Sequence, residues 1–151
     1  MKPFTYLLAA IICATAQQVH ADSVPPLNKG WNGMLEVPGY QVFYGKTDAV
    51  SIKPYVGIIW NKIVFSDPQK SAAGIYQTEV LEIQFRCQTH DATVLRRLHY
   101  TIDGALTSDE STDEKEIKYF DVKHHTNLDR HEAMIQNIAS IDYEAACEKG
   151  D

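Results

Sequence analysis

Five side chains that bind metals or move protons lie close together near the C-terminus: His124, His125, Asp129, His131 and Glu132. Imidazoles beside carboxylates suit zinc, copper or nickel. The run HEAMI, residues 131–135, begins like the metalloprotease pattern HExxH, but Ile135 stands where the second imidazole must be. His125 and Asp129 are four apart and share a helix face if the helix already includes His125, whereas Asp129 and His131 are two apart and do not. His125, Asp129 and His131 are therefore weak metal candidates, set against the plainer expectation of no metal and no cofactor. The acidic run DESTDEKE, residues 109–116, lacks the alternating ligands and the glycine of a calcium loop and is expected to be a solvated hairpin loop. No GxSxG, phosphate-binding loop or dinucleotide-binding glycine pattern occurs, and the chain is expected to be non-enzymatic.

The cysteines carry a different chemistry. Residues 1–21 have one lysine, an apolar run from Phe4 to Ala14 and small residues before Ala16 and Ala21. This is the pattern of a cleaved secretory signal, too short to span a bilayer, with cleavage expected after Ala21, or alternatively after Ala16. Cys13 follows Ile12, a branched residue that makes it a poor lipidation site, so it is expected to leave with the signal. Two thiols then remain in an oxidising compartment, where they pair far more often than they stay free. Cys87 is expected to bond Cys147, since neither CxxC nor a histidine pair flanks Cys87 to favour zinc.

The rest of the composition excludes partners more than it names them. The chain has 151 residues, one domain's worth, with a net charge of −6, becoming about −7 once Lys2 leaves with the signal. Its cations, such as Arg86, Arg96, Arg97 and Lys118, form no basic face, which argues against nucleic acid and anionic membranes. Residues 22–30, DSVPPLNKG, read as a flexible arm, and residues 31–151 as the domain.

Within that domain the apolar period is two. Residues 40–44 and 50–52 read as short strands joined by the turn GKTDA. Residues 55–65 are apolar on both parities, as in a strand buried on both faces. Asp67-Pro68 opens a loop through Gly74; residues 78–87 alternate, one side inward and one to water; and QTHD turns into a second alternating run, residues 92–102. Polar faces in register would bring Glu82 and Arg86 against Arg97 and His99, and Arg96, which breaks the parity, marks an edge or a bulge. Residues 117–122 read as a returning strand. Ala133, Met134, Ile138, Ile141, Ala145 and Ala146 then approximate helical spacing, so residues 124–150 read as largely helical, with Ser140 a loose start signal for a short terminal helix.

The order of these segments, Trp31, QVFYGKTDAVSI, VGIIW, EIQFRC, LHYTIDG and the terminal SIDYEAAC, resembles the surface-adhesin protein E family of bacterial envelope proteins over about residues 31–148. The resemblance implies an α+β fold, about six antiparallel strands with a C-terminal helix tied to the sheet by one disulfide. It also implies an exported protein of the periplasm or outer surface of a Gram-negative bacterium. Its partners would be host matrix proteins such as vitronectin and laminin, bound through an exposed strand edge or through loops 66–77 and 104–115. A periplasmic accessory or inhibitor protein is the alternative, and a metal carrier built on the C-terminal histidines a lesser one.

Overall fold

Alternation in the middle of the chain builds the centre of one antiparallel sheet, and a helix closes over one of its faces. The computed structural model describes residues 24–50, 56–124 and 128–147; the proposed signal peptide, Cys13 and His125 lie outside them. The strands are β1 (Asn32–Val37), β2 (Tyr40–Val50), β3 (Val56–Ser71), β4 (Gly74–Arg86), β5 (Asp91–Tyr100), β6 (Leu106–Ser111) and β7 (Phe120–Asp121). The helix α1 spans Arg130–Cys147. Spatial order follows chain order from β1 to β6, every neighbouring pair antiparallel, and β7 pairs β5 at Asp91 and Ala92.

The described sheet has seven strands rather than six. GKTDA is not a turn: β2 runs through it with a bulge between Tyr44 and Thr47. Asp67-Pro68 does not end β3 either. Pairing with β4 lapses between Val64 and Gln69 and then resumes to Ser71, so proline, which has no N–H to give, sits inside a bulge. β1 is a six-residue edge strand in which only Leu35, Glu36 and Val37 alternate, and the edge strand β6 exposes side chains on both faces. The acidic run is therefore split between the end of β6 and a single 3-10 turn at Glu114–Glu116.

Odd-numbered β3 and β4 residues face α1. Val42, Ile59, Ile63, Leu81, Ile83 and Phe85 pack there against Met134, Ile135, Ile138 and Tyr143. Burying a Leu- or Ile-sized side chain contributes about 1.5–3 kcal/mol, so this layer is the main source of stability. The other face of β4 was expected to meet water, yet Val80 and Glu82 are buried there. Trp60, Val80 and Leu98 form a second cluster, joined by Val24, Leu27 and Trp31. The segment ahead of β1 is thus laid against the sheet: Trp31 Nε1 donates to the Pro26 carbonyl (2.9 Å), and Lys62 Nζ to that of Leu27 (2.9 Å).

Helix α1 begins where Asp129 accepts the Glu132 N–H at 2.8 Å, an N-cap that replaces the expected start at Ser140. It then runs unbroken to Cys147. Its buried stripe includes Asp142 and Tyr143 and leaves Ile141 exposed, so the apolar spacing misplaced one residue of the inner face. The helix approaches β3 closely at Gly57, where an added Cβ would lie 2.9 Å from the Ala146 methyl. Only glycine opposite alanine permits that contact.

Candidate binding site at the hairpin end of the sheet

The two ends of the sheet differ in kind. At one end Cys87, just past β4, is bonded to Cys147 at the end of α1, with Cα atoms 5.4 Å apart. The Tyr143 hydroxyl donates to the Cys87 carbonyl (2.7 Å) and lies 2.7 Å from His90 Nδ1, whose N–H it can accept. His90 has φ of 56°, a left-handed turn conformation that histidine adopts more readily than most residues. His90 and Asp91, flanking the turn into β5, are thus structural: Asp91 forms a bidentate ion pair with Arg86.

At the opposite end lie the turns β1–β2, β3–β4 and β5–β6 and the first turn of α1. The register places them together: Tyr40 faces Phe65, Thr78 faces Tyr100, and Ser66 N–H donates to the Gly39 carbonyl at 2.9 Å. Large apolar side chains are exposed at this end, namely Ile75 (64%) near the start of β4, Ile102 (76%) in the β5–β6 turn and Leu106 (52%) at the start of β6. At the same end of the sheet a cavity of about 250 Å³ opens between the β1–β2 turn, the β3 bulge and α1, walled by Tyr40, Phe65, Asp67, Gln69, Arg130 and His131.

One wall of that cavity is fixed from within by a buried carboxylate. Glu79 on β4 is fully buried, with His131 Nε2 at 2.8 Å from one oxygen and Arg97 Nε (3.2 Å) and His99 Nε2 (3.4 Å) near the other. Burial pushes this carboxyl up, but hydrogen bonds from His131 and His99 and the charges of His131 and Arg97 outweigh it and hold Glu79 at about 2. Glu79 is therefore ionised at neutral pH, and His131 Nε2 donates to it. Tyr76 stacks on His99 at 3.8 Å and completes the packing.

The expected pairing of Glu82 and Arg86 with Arg97 and His99 is not formed. A bulge leaves Leu95 as the extra residue, so Glu82 faces Arg96, Leu81 faces Arg97 and Glu79 faces His99. Arg96 lies beside this bulge and reaches the edge strand, where it makes a bidentate pair with Asp109 (2.8 and 2.6 Å). Glu79 was missed although a signal existed: it shares the parity of Leu81, Ile83 and Phe85, which puts an acid on the core face.

Two of the three metal candidates, Asp129 and His131, are among the described residues, and each is engaged elsewhere. Asp129 caps the helix, His131 is held by Glu79, and His124 pairs with Asp121 on the surface (2.9 Å). Among the described residues no three His, Cys, Asp or Glu are grouped to hold a metal ion. A second cavity of about 340 Å³ opens beside β5 between β6 and β7, where Arg97, Lys118, Glu116 and Glu132 surround an apolar floor that includes Val94 and Ile135. No family model matches the chain, and no curated protein or solved structure is significantly similar to it. No described helix is long and apolar enough to cross a membrane.

Proposed function

We propose that the chain is an exported, disulfide-stapled module that binds other proteins, with matrix proteins of the vitronectin and laminin kind as first ligands to test. The observation that carries this reading is the exposure of Ile75, Ile102 and Leu106 in or next to the β3–β4 and β5–β6 turns, both at one end of the sheet. Large apolar side chains left exposed at one end of a domain supply apolar area that a partner can cover. The backbone beneath these side chains is held by strand pairing and by the Glu79 cluster, so a partner meets a preformed surface. The Cys87–Cys147 bond favours an oxidising compartment, in keeping with the leader-like residues 1–21.

The test is surface plasmon resonance against vitronectin and laminin at physiological salt. Saturable binding is expected, and Ile75→Asp with Ile102→Asp should remove most of it while leaving the melting temperature unchanged. Absence of saturable binding to either protein would overturn the matrix assignment. Cell fractionation with N-terminal sequencing checks export, with Asp22 expected as the first residue. A soluble periplasmic form bound to an enzyme would instead favour the accessory or inhibitor role.

A further inference from the structure

The cavity at the hairpin end has a chemistry of its own. Tyr40 and Phe65 supply two aromatic walls, their ring centroids 6.4 Å apart. His131 is fixed through its Nε2 by Glu79, so the imidazole forms a positioned wall rather than a mobile arm. Arg130, next along the helix, is exposed and has no ion-pair or hydrogen-bond partner among the described residues. Arg86, Arg96 and Arg97, by contrast, each engage a carboxylate. An unpaired guanidinium on the wall of an aromatic cavity can take a carboxylate in a bidentate pair, against the general repulsion of a chain of net charge −6. Asp67 opposes this from the β3 side, since it lines the same cavity with a negative charge.

We infer that this cavity receives an acidic side chain of the protein partner, paired with Arg130 and flanked by Tyr40 and Phe65. This rests on the protein-binding role proposed for the hairpin end and specifies its ligand chemistry. The apolar turns would supply area and Arg130 the selection for acidic sequence, because a neutral isostere leaves the guanidinium without its charge partner. Asp67 would weaken the pair by like-charge repulsion, giving the site two substitutions of opposite expected effect.

The probes are acetyl-Gly-Glu-Leu-amide and its Gln counterpart, titrated into the ¹⁵N-labelled protein as the cell processes it, disulfide intact. Saturable shifts are expected at the Gly39 amide and the Arg130 Nε–H, with the Gln peptide about tenfold weaker. Arg130→Gln should erase that preference, while Asp67→Asn should tighten the Glu peptide by roughly threefold. Equal binding of both peptides, shifts that map elsewhere, or no binding of either up to about 10 mM would overturn the inference. If the peptides fail while Ile75→Asp still abolishes capture of a matrix protein, the acidic pocket falls and the binding role stands. If the peptides are discriminated but no matrix protein binds, the acidic pocket stands and the matrix assignment falls.

Discussion

Two buried carboxyl groups, Glu79 on β4 and Asp142 on α1, are tuned in opposite directions. Glu79, ringed by His131, His99 and Arg97, is held down at about 2, whereas burial pushes Asp142 up to about 7 against an opposing hydrogen bond from Asn61. The Asn61 amide nitrogen lies 2.6 Å from Asp142 Oδ2, and Asn61 Oδ1 is buried without a partner. A neutral Asp142 can donate its proton to that oxygen, making an acid–amide pair that satisfies both groups. Tyr44 on β2 faces the same carboxyl, and its own ionisation is raised by burial and by the Asp142 charge. The signs follow from linkage. Asp142 holds its proton longer folded than unfolded, so its stabilisation is complete below about pH 4 and is lost as pH rises through 7. Glu79 does the reverse, stabilising above its unfolded value of 4.5 and losing this as pH falls toward 2. Denaturant titrations should therefore give maximal stability between about pH 4 and 5. Asp142→Asn is expected to flatten the alkaline limb. Glu79→Gln should flatten the acid limb and lower stability near neutrality by about 3 kcal/mol, having left buried donors facing a neutral amide. An alkaline limb unchanged in Asp142→Asn would refute the acid–amide pair.

At the scale of elements, the sheet and helix are joined by side-chain packing and by one covalent link. Cys87→Ser is expected to cost about 4 kcal/mol by chain entropy for a separation of 60 residues, or less where the unfolded chain keeps structure. A thiol assay on the denatured, unreduced protein checks the pairing: neither Cys87 nor Cys147 should react in the native sequence, whereas Cys147 should in the variant. Much of this architecture was legible. The double parity of residues 55–65 marked a strand buried on both faces, the alternation of 78–87 and 92–102 marked a hairpin, and Arg96 marked an edge or a bulge, of which the bulge is found. What was hidden has physical causes. Edge strand β6 has no buried face to alternate, β1 is too short to show a period, and the single helix from Arg130 to Cys147 buries Asp142 and exposes Ile141, which was expected on its inner face. The Glu79 cluster depended on strand register, which the bulge at Leu95 shifts by one residue and which no local spacing reveals.

At the scale of the whole molecule, the order β1 to β6 follows the chain, and the disulfide stands at the end of the sheet away from the hairpin turns. A domain that grips a partner under flow or membrane motion carries force, and the bridge decides which parts carry it. A pull between the segment ahead of β1 and the segment beyond Cys147 would pass along β1 to β4 and cross directly from Cys87 to Cys147. The strands β5 to β7 and the helix α1 lie inside the bridged loop and would bear no end-to-end load. Single-molecule stretching should therefore show oxidised protein falling short of reduced protein by about 200 Å of contour length. Equal lengths in the two redox states would contradict this load path. The bridge would thus serve as a mechanical shunt that keeps the end-to-end load off the covalent segment bearing Arg130 and His131.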